Sequence, residues 1–217
     1  MSNKVLVVPD IHGRKFWKEP CNKWDGQIIF LGDYHDPYNW QCSNHDSLVN
    51  LYELVNFYNN NTDRCVFLLG NHDCSYVGSM ITCRYDAQQA KEVATLLRQL
   101  PMKPIYIQNN IIFSHAGTTQ DWLRYNNIGI DDLLQFHWDD TRLNQVSAFR
   151  GGYNKYSSPT WCDVREYDSS VKLNGYYQVF GHTQLELEPI ITDKFACLDV
   201  RKTFIVDTNE ITINQFD

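Results

Sequence analysis

The sequence predicts an α/β fold built around buried strands, and three observations lead there. Short apolar runs recur along the chain and repeatedly break off into polar residues. Stretches with helical spacing lie between them. No linker rich in glycine, serine or proline, no internal repeat and no low-complexity segment interrupts the 217 residues, 43% of them apolar, so the whole of 1–217 reads as one domain.

The elements follow in order. Residues 5–8 end in Pro9-Asp10-Ile11-His12-Gly13, and residues 27–31 end in Gly32-Asp33-Tyr34-His35-Asp36. Residues 65–69 end in Gly70-Asn71-His72-Asp73, residues 111–113 in Ser114-His115-Ala116-Gly117, and residues 177–180 in Gly181-His182-Thr183. Such runs, rich in β-branched, aromatic or leucine residues, read as strands covered on both faces, which need not alternate. Leu48, Leu51, Leu54, Val55 and Tyr58 share one helical face, and Ala90, Val93, Ala94, Leu97 and Leu100 another, closed by Pro101. Ligands collect beyond the carboxyl ends of strands in α/β sheets, so the five polar clusters are expected to converge on one crevice. After His182 the close-set runs 196–200, 203–206 and 210–216 suggest an antiparallel finish.

Bulk properties narrow the partners. A formal charge of −7 leaves no broad basic surface to follow a phosphate backbone, so nucleic acid is not the expected substrate. Neither a signal-type start nor an apolar stretch long enough to span a membrane is present, and the expected location is cytoplasmic. Seven cysteines without a CxxC pair read as reduced thiols.

The clusters carry metal chemistry. In Asp10-Ile11-His12 the ligands are one residue apart, so in strand geometry both leave on the same side; alone, such a triplet often arises by chance. Asp33, after a glycine turn, can give one oxygen to each of two cations about 3.5–4 Å apart. Asn71 is a neutral oxygen donor between a strand and a histidine, while His115 and His182 offer imidazoles suited to Mn, Fe or Zn. His35 has no comparable argument and reads as a solvated loop residue.

In their order, Asp10/His12, Asp33/Asp36, Asn71/His72, His115 and His182 resemble the calcineurin-like metallophosphoesterase superfamily, with its blocks D-x-H, G-D-x-x-D, G-N-H-(D/E), H and G-H-x. The resemblance implies a four-layer α-β-β-α sandwich with mixed central sheets and a dinuclear centre. It implies that Asp10, His12 and Asp33 hold one ion, and that Asp33, Asn71, His115 and His182 hold the other. Mn is the expected metal, with Fe or Zn as alternatives.

Gln184 stands where phosphodiesterase branches carry a second histidine, which resembles the branch of serine/threonine protein phosphatases and diadenosine tetraphosphatases. That branch continues its G-D-x-x-D block with Arg-Gly, whereas Pro37-Tyr38 follows here, so its phosphate-clamping arginine is missing from its usual place. Arg150 is similar to a second clamping arginine, and Arg14 and Arg84 are local candidates. Two cations lower the pKa of a shared water and neutralise phosphoryl oxygens. His72 is the expected general acid, with Asp36 orienting its ring, and Asp73 is either an outer partner of the centre or a turn residue. The expected activity is hydrolysis of phosphomonoesters, with phosphoserine or phosphothreonine in proteins as one source. A nucleotide, dinucleoside polyphosphate or small phosphodiester hydrolase is the second class, and a non-catalytic scaffold the third.

Overall fold

Val5, Leu6, Val7 and Val8 are all fully buried, because the strand they form is covered on both faces. Leu6 and Val8 pack with Ile28, Phe30, Phe67 and helical Leu51, Leu54 and Val93, whereas Val5 and Val7 pack with Ile29, Val66, Phe113 and Val179. This alternation, which follows from the two-residue period of a strand, places helices on one side and a second sheet on the other.

The computed structural model describes residues 3–78 and 80–216. Its strands are β1 (Lys4–Val8), β2 (Ile28–Phe30), β3 (Cys65–Phe67), β4 (Ile105–Gln108), β5 (Ile111–Ser114), β6 (Tyr177–Phe180), β7 (Ile190–Ile191), β8 (Phe195–Cys197), β9 (Thr203–Asp207) and β10 (Thr212–Phe216). The first sheet runs β10-β9-β1-β2-β3 and the second β4-β5-β6-β8-β7. β1, β2 and β3 are parallel, as are β5, β6 and β8, so the sheets are mixed only at their flanks. The fold is a four-layer α-β-β-α sandwich.

The helices are α1 (Lys18–Lys23), α2 (Asn44–Asn59), α3 (Cys74–Val77), α4 (Ala90–Leu97), α5 (Gln120–Tyr125), α6 (Ile130–Leu134) and α7 (Val164–Ser169). α2 starts where the Ser43 side chain accepts the N–H of Asp46, satisfying one of the first-turn donors. It buries Leu48, Leu51, Leu54 and Val55 against the first sheet, the face its spacing predicts. On the far side, Tyr167 of α7 packs on Phe180 and Phe195.

The antiparallel finish holds for β9 and β10: β9 pairs with β1 on one side and with β10 on the other. The run beginning at Ala196 departs from it: β8 pairs parallel to β6 in the other sheet. Local periodicity marks a strand but does not select its partner, and the crossover after β8 is invisible in the spacing. No helix among the described residues is long and apolar enough to cross a membrane.

Candidate metal centre

Asp10 and His12 follow β1, Asp33 and Asp36 follow β2, Asn71 and His72 follow β3, His115 follows β5, and His182 follows β6. The chain leaves these strands through abrupt turns. His12 (φ 44°), Asp33 (φ 56°), Asp36 (φ 58°) and His182 (φ 61°) all take left-handed backbone, at a cost of roughly 1–2 kcal/mol each for a residue with a Cβ. Two glycines admit the carboxylates. A Cβ at Gly70 would lie 2.2 Å from Asp33 Oδ1, and one at Gly181 would lie 2.3 Å from Asp10 Oδ1. Glycine precedes Asn71 and His182 because a carboxylate fills the space a side chain would need.

The donor atoms converge. His115 Nε2 lies 3.0 Å from Asn71 Oδ1, 3.1 Å from His182 Nδ1 and 3.5 Å from Asp33 Oδ2. His12 Nε2 lies 3.4 Å from that same Asp33 oxygen. Nitrogen and oxygen donors about 2.0–2.2 Å from one ion stand about 3.0–3.5 Å from each other, so this spacing fits coordination. Asp33, His115 and His182 form one group able to hold an ion, and His12, Asp33 and His72 a second; Asp33 belongs to both. Asp10 stands outside both groups, with Oδ1 accepting the backbone N–H of His182 at 3.0 Å.

Surrounding groups fix the donors. His12 Nδ1 is 3.1 Å from the carbonyl of His35, and His115 Nδ1 is 2.8 Å from that of Leu31, so each ring donates there and turns Nε2 inward. Asp73 accepts backbone N–H groups from Asp33 (2.8 Å), Tyr34 (3.1 Å) and Gly70 (2.8 Å), tying the second loop to the third. Asp33 Oδ1 accepts the N–H of His72 at 2.9 Å, which leaves Oδ2 as the oxygen facing both His12 and His115.

Protonation states suit cations. Burial holds the His12 and His182 imidazoles well below their usual range, hence neutral. Burial works to raise the Asp33 carboxyl, but the imidazoles around it, His115 and His72 foremost, win and hold it low, hence ionised. Asp10 is pushed up by burial, with Asp33 adding to the shift. Neutral imidazoles beside an ionised carboxylate are the forms a metal ion requires, and the residues present fit the pair of ions.

A sequence profile of calcineurin-like phosphoesterases matches residues 4–185. The chain belongs to this family. Among solved structures, the phosphoesterase chain is similar to a cold-active protein-tyrosine phosphatase of a psychrophilic Shewanella species, with a TM-score of 0.62, 17% identity, and coverage of 100% of this chain and 81% of that one. A metallophosphoesterase from Sphaerobacter thermophilus aligns at a TM-score of 0.45 and 11% identity over 100% of this chain and 89% of that one. No curated protein matches. Family and fold make this chain a metal-dependent phosphoesterase, a phosphoric ester hydrolase.

Around the phosphoesterase centre is a cavity of 230 Å³ lined by His12, Asp33, Asn71, His72 and His182 together with Tyr38, Cys83, Arg84, Arg150 and Trp161. His72 Nδ1 is 2.7 Å from Asp36 Oδ2, whose other oxygen accepts the Tyr76 hydroxyl. Burial lowers the His72 pKa, but Asp33 and Asp36 outweigh it and hold it up at about 10. Arg84 Nη2 lies 3.1 Å from His72 Nε2. A guanidinium donates only to an unprotonated ring nitrogen, so this contact and a charged His72 exclude one another.

The three arginines differ. Arg14 lies outside the cavity lining and gives Nη2 to Asp10 O at 2.7 Å and Nε to Ile11 O at 3.0 Å, bracing the first loop. Arg150 stands at the rim, its Nε 2.8 Å from an Asp163 oxygen and its Nη2 3.0 Å from Thr183 Oγ1. Arg84 lies over the Tyr38 ring, 3.9 Å from its centroid.

The solvated reading of His35 is overturned. His35 is 1% exposed, because α2 packs over its loop and Ser47 Oγ bonds its Nδ1 at 2.8 Å. Sequence reasoning also missed Tyr38, Cys83 and Trp161 as cavity residues. The departure from Arg-Gly at positions 37 and 38 was a signal for Tyr38; Trp161 carried none.

Proposed function

We propose that the chain is a phosphomonoesterase working at two metal ions, and the cavity supports this most directly. At 230 Å³ it is smaller than the roughly 300–1,000 Å³ of pockets that enclose drug-sized ligands. It takes a phosphoryl group with a short stem, whereas a dinucleoside polyphosphate would lie mostly outside.

Asp10, His12 and Asp33 would hold one ion in this reading, and Asp33, Asn71, His115 and His182 the other, with the His182 N–H on Asp10 Oδ1 fixing that carboxylate in place. Manganese is the proposed metal, with Fe or Zn as alternatives. When bound, the ions supply a water acidic enough to ionise near neutral pH and positive charge against the phosphoryl oxygens. His72 protonates the leaving oxygen from Nε2, and Asp36 at Nδ1 sets the ring and supports its cationic form. Arg150 binds a phosphoryl oxygen from the His182 side.

Phosphoserine or phosphothreonine of cytoplasmic proteins is the proposed substrate, a setting in keeping with seven free cysteines. Phosphotyrosine is a second reading, favoured by aromatic walls: Tyr38 and Trp161 line the cavity, and the Trp161 indole N–H has no acceptor in the described structure. The Shewanella neighbour is a tyrosine phosphatase by description. A panel of phosphopeptides, nucleotides, dinucleoside polyphosphates and aryl esters assayed with Mn tests both. Hydrolysis of monoesters over anhydrides and diesters is expected, and a preference for dinucleoside polyphosphates would overturn the proposal.

A further inference from the structure

Arg84 is a cation in the cavity with no carboxylate within ion-pair distance among the described residues. Its contacts are of another kind. Nε donates to the Asp36 carbonyl at 3.2 Å, Nη2 donates to His72 Nε2 at 3.1 Å, Nη1 reaches Cys83 Sγ at 4.0 Å, and the guanidinium carbon sits 3.9 Å from the Tyr38 ring centroid. Of the other two candidates, Arg14 is fully engaged outside the cavity lining, and Arg150 reaches the cavity with its charge partly offset by a carboxylate. Arg14 is spent on two backbone carbonyls and Gln41, and Arg150 is paired with Asp163. The backbone at Arg84 is also left-handed, with φ 65°, a conformation few non-glycine residues adopt without surrounding structure to hold it.

We propose that Arg84 is the principal phosphate-binding arginine of this chain, carried to the reacting end of the cavity on the face of Tyr38. The inference rests on the phosphoesterase reading of the site and adds the residue that recognises the dianion. A phosphoryl oxygen is a far stronger acceptor for a guanidinium than a neutral imidazole, so substrate draws Nη2 away from His72. The Nε bond to Asp36 O stays in place and acts as the pivot. Tyr38 is a positioning residue: its ring holds the cation in place without neutralising it, as a carboxylate would.

The test is calorimetric titration of inorganic phosphate into the Mn-loaded protein, run beside nitrophenyl phosphate kinetics and metal analysis. Arg84→Ala is expected to weaken phosphate binding roughly 10- to 100-fold with metal content unchanged. Arg84→Lys restores only part of it, because a point charge lacks the planar fork. Tyr38→Phe keeps phosphate affinity and Tyr38→Leu loses affinity and raises KM more than it lowers kcat, a split that a purely structural role would not produce. Unchanged phosphate affinity in Arg84→Ala with metal retained overturns the inference; should that variant fail to fold, wild-type affinity in Arg84→Gln does the same. The two readings fail separately. A wild type that binds phosphate through Arg84 but hydrolyses no ester would remove the enzyme reading alone, and one that hydrolyses esters indifferently to Arg84 would remove only this inference.

Discussion

His72 Nδ1 and Asp36 Oδ2 stand 2.7 Å apart, both buried, on loops that follow neighbouring parallel strands. The pair is held from behind by the Tyr76 hydroxyl on the second Asp36 oxygen, so the imidazole has little freedom to rotate. Its other nitrogen faces the cavity lined by His12, Asp33, Asn71 and His182.

Leaving-group dependence follows from this pair. General acid catalysis is worth about 10²–10⁴-fold for an alkoxide and little for nitrophenolate, which is already stabilised. His72→Asn should therefore damage alkyl phosphate hydrolysis far more than nitrophenyl phosphate hydrolysis, and Asp36→Asn should do so in milder form. Equal loss on both substrates together with loss of one ion would assign His72 to the metal centre, where its grouping with His12 and Asp33 would also allow it to serve.

Metal removal should abolish activity, and Mn or a similar divalent ion should restore it, because the donors are imidazole, carboxylate and amide oxygen without thiolate. Activity on an aryl phosphate after exhaustive chelation is the measurement. Full activity there would refute a dinuclear mechanism.

Asp33 faces His12 on one side and His115 on the other through a single oxygen. Asp33→Asn should reduce occupancy of both ions, whereas His12→Ala should weaken mainly one. Metal analysis under saturating Mn decides this, and one ion per wild-type chain would contradict the bridge.

Asp73 holds three backbone N–H groups of two ligand loops. Asp73→Ala leaves those donors without their acceptor and should lower metal affinity about 10–100-fold, the usual effect of losing an outer partner of a metal ligand. Unchanged affinity in a metal titration would reduce Asp73 to a turn residue.

Arg150→Ala should raise KM for every substrate by a similar factor, since a contact to the phosphoryl group is lost whatever the leaving group. The variant should fold, because Asp163 keeps its second partner, Arg165, at 2.8 Å. Unchanged steady-state kinetics would confine Arg150 to bracing Thr183.

The five strand ends were legible because each buried run stops where a polar cluster starts; the structure brings four of those clusters to the cavity lining and sets His115 of the remaining one against Asn71 and His182. The two main helices were legible from their apolar faces, α2 and α4 both lying where spacing placed them. Pairing was not. The parallel place of β8 beside β6 depends on a crossover that local periodicity does not encode, whereas the edge strands β4 and β7 join their neighbours through short hairpins. His35 was misjudged for the same reason, since it is buried by a helix that begins beyond its own loop. Arg84 and Tyr38 meet through the fold alone, with no motif joining them.

The donors come from both sheets: Asp10, His12, Asp33 and Asn71 leave the first, His115 and His182 the second. A cation between them would act as a rivet through the middle of the sandwich. Shear of one sheet across the other by a fraction of a bond length would spoil coordination, so the two halves of the chain must lock in register before the centre exists, and each ion in turn would resist their slippage. Amide exchange in β5 and β6 would report that locking, slowing when Mn is added, even though neither strand contains a ligand.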